Sequence, residues 1–446
     1  MTDTTTDLRE RVAAVLPGVR ESLDDHIRIP SISSLPDHAD RVQQSAEWVA
    51  RQLREVGCPD VRIVVEGGMP AVIGRFPAPE GQPTVCLYAH HDVQPTGDTA
   101  LWTVPPFEPT ERDGRLYARG AADDKAGFAV HLAALRAFEG TPPVGVTLFV
   151  EGEEEIGSPS IGTIIERHHD LLAADVYVIA DSGNWDAGVP AFTTTLRGLA
   201  DCVVEVRTLD HALHSGMFGG IVPDALTTLC KLLGTLHDDA GNVAIEGFAP
   251  HPASELDYPE DRLRVETGVL DGVSWMGEGS VVERIWTKPS VTVLAIDATS
   301  VANASNTLAP VARAKVSLRV PPGTDAQDAE ELLVRHLERH APWGARVSVT
   351  RGDTGQPGVV AFEGPVADVA ASAWTEAWGR PPVTTGIGGS IPMIAEFQQA
   401  FPGATVLVTA VADPDSRPHG IDESLHLGDF ENACLAEALL LDRLAR

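Results

Sequence analysis

Polar residues able to hold metal ions stand at the ends of several apolar runs in this chain. His90-His91-Asp92 follows Leu87-Tyr88-Ala89, and Glu151-Gly152-Glu153-Glu154-Glu155 follows Leu148-Phe149-Val150. Asp181 follows Tyr177-Val178-Ile179-Ala180, and Asp123-Asp124 stands where a helix begins at Lys125. The donors are imidazole and carboxylate with no cysteine among them. That mixture suits Zn2+, Mn2+ or Co2+ in an open, water-holding site rather than a closed structural one. Together the donors exceed what one tetrahedral ion needs. Two ions sharing a bridging carboxylate would use them all and relieve the repulsion among the acids. His90-x-Asp92 has the spacing for a carboxylate that orients a ligand imidazole. Glu154 and Glu155 are adjacent, so one can bind metal while the other is held off it as a general base. An isolated acidic run is ordinarily a solvated face. This one abuts an apolar run, is flanked by glycines and coincides with similar groups elsewhere, which favours a site.

The elements that must position these groups alternate. Helical spacing over 7–28 and 40–57 is followed by strand patterns at 61–65, 71–76 and 84–89. A helix over 125–138, a strand over 144–150, a helix over 160–169 and a strand over 176–180 come next. This alternation predicts an α/β fold with a central, mostly parallel sheet flanked by helices. Ligand sites in such sheets lie just beyond the carboxyl ends of the strands, where the polar clusters stand. After Arg197-Gly198 the rhythm changes to a strand at 200–207, a helix at 223–237 and a long polar stretch at 238–289. Strands at 291–296 and 312–320, a helix at 326–340 and a strand at 346–350 follow. That β-α-β-β-α-β order predicts an inserted ferredoxin-like α/β domain. Helices at 365–378, 391–400 and 429–444 with a strand at 405–408 resume the first pattern. The expected organisation is a discontinuous main domain, 1–197 with 354–446, interrupted by a smaller domain over 198–353.

Composition narrows the function classes. The 446 residues carry 33 Lys+Arg against 64 Asp+Glu, a net charge of −31. Such a surface repels phosphate backbones and anionic lipid heads, so neither nucleic-acid nor membrane partners are expected. With 43% hydrophobic residues the chain has ample material for a core and is not a disordered composition. The five cysteines are scattered without a C-x-x-C pair and read as buried small hydrophobes in a reducing compartment. The start, Met1 to Asp7, has neither the basic region nor the apolar core of a signal peptide. No run approaches the roughly 18 apolar residues of a membrane span. The expected location is cytoplasmic.

Longer motifs now carry a resemblance. Tyr88-Ala89-His90-His91-Asp92-Val93-Gln94-Pro95, Ala118-Arg119-Gly120-Ala121-Ala122-Asp123-Asp124-Lys125 and Glu151-Gly152-Glu153-Glu154-Glu155-Ile156-Gly157-Ser158 resemble the co-catalytic zinc metallopeptidases. That family includes carnosine-type dipeptidases, glutamate carboxypeptidase, aminoacylase, acetylornithine deacetylase and succinyl-diaminopimelate desuccinylase. The likeness extends to Leu213-His214-Ser215-Gly216, Ser317-Leu318-Arg319-Val320-Pro321, Gly388-Gly389-Ser390-Ile391-Pro392 and His419, so it spans nearly the whole chain. Asp at 181 and the 388–392 segment look more like the dipeptidases than the deacylases. Pro418-His419-Gly420-Ile421-Asp422-Glu423 departs from the dipeptidase continuation in its middle but keeps the final glutamate.

The resemblance implies two divalent ions, Zn2+ first with Mn2+ or Co2+ as alternatives. His90 and Asp181 would hold one and Glu155 and His419 the other, with Asp123 bridging. It also implies Glu154 as general base, Asp92 as the support of His90, and His214 as a lid histidine that reaches a partner subunit's site to stabilise the oxyanion. Arg319 would clamp the substrate carboxylate, with Thr307 and Ser390 as further substrate contacts. The inserted domain would serve as lid and homodimer contact. The implied reaction is hydrolysis of the amide bond of a dipeptide or short peptide. An N-acyl amino acid is the alternative substrate, and an inactive scaffold the alternative role. Strand alternation turns His91 away from the ligand His90. His168 and His169 read as caps at a helix end, and Glu330 and Glu331 as the exposed face of a helix.

Overall fold

Three apolar runs, Thr84–His90, Gly145–Glu151 and Val176–Ile179, are buried along almost their entire length, as strands covered on both faces must be. The computed structural model describes residues 2–252, 254–389 and 391–446, and makes these runs neighbours in one sheet. In chain order the first elements are α1 (Thr2–Ile27), α2 (Ala39–Glu55), β1 (Asp60–Val64), β2 (Ala71–Phe76), β3 (Thr84–His90), α3 (Lys125–Ala137), β4 (Gly145–Glu151) and β5 (Val176–Ile179). β6 (Gly198–Arg207), α4 (Ala225–Leu233), β7 (Ser290–Asp297), β8 (Val311–Val320), α5 (Ala326–Arg339) and β9 (Arg346–Gly355) follow. The chain returns with α6 (Pro365–Trp378), α7 (Pro392–Ala400), β10 (Thr405–Val408) and α8 (Leu427–Leu444). It divides into two units: Met1–Thr194 with Val360–Thr385 and Pro392–Arg446, and Thr195–Val359 with Gly386–Ile391.

The first unit is built on a sheet of order β1-β2-β4-β3-β5-β10. β4, β3, β5 and β10 pair in parallel, whereas β1 with β2 and β2 with β4 pair antiparallel. The sheet is therefore mixed. The link between β1 and β2 is too short for the crossover that a parallel pair requires. On α2 the buried residues Val42, Ala46, Val49, Ala50 and Leu53 recur at helical spacing, forming the stripe that meets the core. α3 is buried at nearly every position because it packs on β3 and also against α1 and α8. A helix so enclosed holds its first turn, and the loop that feeds it, in a fixed place.

In the second unit the sheet order is β7-β8-β6-β9, all antiparallel. α4 and α5 pack on it around Val204, Leu229, Val316 and Leu333, which gives the expected ferredoxin-like arrangement. Two expectations fail here. Glu330 is buried at 5% exposure, because α5 turns it toward β9, where Arg351 Nη1 donates to its carboxylate at 2.8 Å. Cys230 is exposed, whereas the other four cysteines are buried; on α4 it falls outside the stripe of Ala225, Leu229 and Leu232. The polar stretch also contains a helix, Glu260–Thr267, with no buried residue. Among the described residues no helix is long and apolar enough to cross a membrane.

Candidate metal centre and active site

β4, β3 and β5 lie side by side and parallel, so their carboxyl ends open at one edge of the sheet. His90 is the last residue of β3, and Asp181 comes just beyond β5. Glu154 and Glu155 begin the short 3₁₀ turn Glu154–Ile156 beyond β4. Asp123 stands in the loop that feeds α3, and His419 in the loop between β10 and α8. Six residues from five separate stretches of the chain thus converge. His90 Nε2 lies 3.0 Å from Asp123 Oδ1 and 3.9 Å from Asp181 Oδ1. His419 Nε2 lies 3.0 Å from both Asp123 Oδ2 and Glu155 Oε2. The groups form two triads, His90–Asp123–Asp181 and Asp123–Glu155–His419, with the ligand atoms of each within 4.8 Å of one another. Asp123 belongs to both and offers one oxygen to each.

The supports of these groups fix their chemistry. The Asp92 carbonyl lies 3.1 Å from His90 Nδ1, and a carbonyl only accepts, so Nδ1 carries the proton and Nε2 keeps a lone pair for a cation. The Asp92 carboxylate lies 3.4 Å from the same nitrogen and accepts the backbone N–H groups of Glu154 and Glu155 at 3.2 Å each. One side chain thus orients the His90 imidazole and holds the turn that carries both glutamates. His90 N–H donates to Asp124 Oδ2 at 3.1 Å. Gln94 grips Glu155, its backbone N–H donating to Oε1 at 3.1 Å and its side-chain amide to Oε2 at 2.9 Å. His91 turns away and donates from Nε2 to the Pro70 carbonyl at 2.9 Å. His168 pairs with Glu66 at 3.0 Å.

The electrostatics show what kind of partner would suit this cluster. Burial, and then the neighbouring Glu154, Asp124 and Asp123 carboxylates, lift Asp181 well above the usual carboxylate range against the pull of His90. Glu154 is pushed up to about 7, chiefly by burial, with Glu155, Asp123 and Asp92 adding their repulsion and His90 opposing. Burial works against an ionised Asp123 as well, but hydrogen bonds from His419 and His90 outweigh it and hold the group below its ordinary value. Crowded carboxylates short of positive charge are what divalent cations neutralise. Oxygen and imidazole donors in two triads with a shared carboxylate fit two such ions. Among the described residues nothing donates a hydrogen bond to the Glu154 carboxylate, which belongs to neither triad and is left available to take a proton.

The remaining candidates belong to the second unit. His214 and Thr307 face each other as partners across the two-residue strands Leu213–His214 and Thr307–Leu308. His214 Nδ1 accepts the Gly216 N–H at 3.0 Å, so Nε2 carries the proton of the neutral ring. Arg319 lies on β8, opposite Ser290 of β7 and Leu199 of β6. Ser390 lies outside the described residues.

Residues 86–443 match Peptidase family M20/M25/M40. The chain belongs to this family. A cysteinylglycine-S-conjugate dipeptidase of Corynebacterium striatum is 35% identical over 428 residues, covering 94% of each chain. The human Beta-Ala-His dipeptidase is 28% identical over 399 residues, covering 84% of this chain and 77% of its own. Among solved structures, the di-peptidase Dug1p from Saccharomyces cerevisiae superposes with a TM-score of 0.83 at 24% identity, covering 100% of this chain and 99% of the other. This M20 member shares the Dug1p fold along its length.

Proposed function

We propose that this M20 member is a dinuclear metal-dependent dipeptidase. The observation that carries the reading is the pair of triads joined through Asp123 with the free carboxylate of Glu154 beside them. The dipeptidase names of the relatives support the substrate class. Zn2+ is the proposed metal; His90 and Asp181 would hold one ion and Glu155 and His419 the other, with Asp123 offering an oxygen to each. Two divalent ions held there would lower the pKa of a water and polarise the scissile carbonyl. Glu154 accepts the proton of the attacking water and returns it to the leaving amine. The protonated Nε2 of His214 donates to the developing oxyanion. Arg319 binds the substrate carboxylate through its planar fork, with Thr307 and Ser390 as further contacts.

The proposed domains are a catalytic one, 1–197 with 354–446, and a lid, 198–353, that also forms a homodimer. The edge strand β7 supports this contact by exposing Val293, Leu294 and Ile296, since an open apolar edge is ordinarily covered by a partner. Five cysteines without disulfides support a cytoplasmic location. The deciding experiment presents Zn2+-loaded protein with dipeptides and N-acetyl amino acids side by side. Dipeptide cleavage that chelation abolishes is expected. Preference for the N-acetyl compounds would make it a deacylase, and no hydrolysis in a broad screen would leave only a scaffold.

A further inference from the structure

Arg119 and Glu423 form a buried ion pair, 1% and 0% exposed, with Arg119 Nη1 donating to Glu423 Oε2 at 2.6 Å. Buried pairs are weak evidence for stability, since desolvation offsets much of the attraction, and are better explained by what they position. The Glu423 carboxylate also receives the backbone N–H groups of Gly120 at 3.0 Å, Ala122 at 2.9 Å and Asp123 at 3.1 Å. It therefore holds the loop of the shared aspartate by its main chain, and Glu423 itself ends the segment that carries His419. Arg119 adds two reaches: Nη2 donates to the Gly420 carbonyl at 3.1 Å, beside His419, and to the Pro95 carbonyl at 3.3 Å, beside the Gln94 that grips Glu155.

These bonds hold a loop that would not otherwise stay in place. Arg417, His419 and Asp422 all adopt left-handed backbone conformations, with φ of 52°, 62° and 57°. Non-glycine residues keep such conformations only where their surroundings over-determine them. At Gly120, φ is 80° and an added Cβ would come within 2.7 Å of Val93 Cγ1, so the other side of the clamp also admits little change.

We propose that Arg119 and Glu423 are a positioning pair that sets the second triad, placing Asp123, His419 and, through Pro95 and Gln94, Glu155 relative to one another. The first triad is less dependent on the pair. His90 is fixed independently by Asp92 and Asp124, and Asp181 extends from β5. Loosening the pair therefore weakens one ion far more than the other. The inference rests on the two-ion reading above.

The test titrates metal-free protein with Co2+ and follows the visible absorbance of the bound ion. Wild type is compared with Glu423→Gln and Arg119→Lys, with His419→Ala marking the step that belongs to the second triad. Glu423→Gln sets an amide N–H against donors, and Arg119→Lys keeps the charge but cannot span three acceptors. Two steps are expected for wild type. In each variant the step lost in His419→Ala should weaken by about 10- to 100-fold while the other, which shares only Asp123 with the clamp, weakens distinctly less. The neutral double variant Arg119→Met/Glu423→Gln removes the unpaired buried charge and should show the same selective loss should a single variant fail to fold. Equal weakening of both steps, or two wild-type steps, overturns the positioning role. Fewer than two ions in wild type overturns instead the two-ion reading.

Discussion

Glu154 is the proposed group on which turnover rests, because it belongs to neither triad and, unlike those of Asp92 and Asp124, its carboxylate is not committed to a backbone N–H among the described residues. Burial and the neighbouring carboxylates raise its proton affinity, the direction that suits a group which must take a proton and return it. Glu154→Ala should therefore keep both ions, measured by metal analysis, and lose roughly 10² or more in turnover. A variant with wild-type activity would remove Glu154 from that role. Of the proposed ligands, His90, Glu155 and Asp181 were legible because each follows an apolar run, Asp123 because it stands at the entry to a helix, and His419 only through the family resemblance. Gln94, Arg119 and Glu423 were not read as site residues. They act by hydrogen-bonding to backbone or to another side chain, and that leaves no periodicity and no characteristic spacing. Glu423 was noticed only as the last residue of a motif, and its three backbone donors come from a loop some 300 positions away in sequence.

The elements that carry these residues depend on a second buried pair. His131 on α3 presents Nδ1 to the Glu437 carboxylate of α8 at 2.9 Å and donates from Nε2 to the Tyr88 carbonyl of β3 at 3.0 Å. With both nitrogens facing acceptors the ring is held as an imidazolium. Burial opposes that charge, but Glu437 and the Tyr88 carbonyl outweigh it and raise the His131 pKa above 6.5. The folded chain then binds a proton that the unfolded chain releases. The stabilisation is complete below pH 6.5 and fades as pH rises through the folded value, by at most about 1.4 kcal/mol per pH unit for one proton. Urea unfolding midpoints from about pH 6 to about pH 9 should fall more steeply for wild type than for Glu437→Gln. Parallel curves would deny the pair this role. α3 and β3 were readable from their apolar runs. The antiparallel pairing of β2 with β4 was not, since pairing partners far apart in sequence leave no local mark. The helix Glu260–Thr267 was missed because it buries nothing and so shows no stripe.

At the scale of the whole molecule, the net charge of −31 sets the expectation that polyanions are repelled, whereas a dimer contact is a property of two copies. The proposed dimer makes a claim that can be separated from metal binding: His214 works in the partner's active site. Co-expression of differently tagged Glu154→Ala and His214→Ala chains tests it. Each homodimer lacks one required group at every site. In the heterodimer, the site that keeps its own Glu154 receives an intact His214 from the other chain, while the second site lacks both. Random assortment should therefore restore about a quarter of wild-type activity to the mixture, half of the dimers having one working site of two. The purified heterodimer should approach half. Were His214 to serve its own chain, every site in the heterodimer would lack one group, and its activity would be no higher than that of the more active single variant.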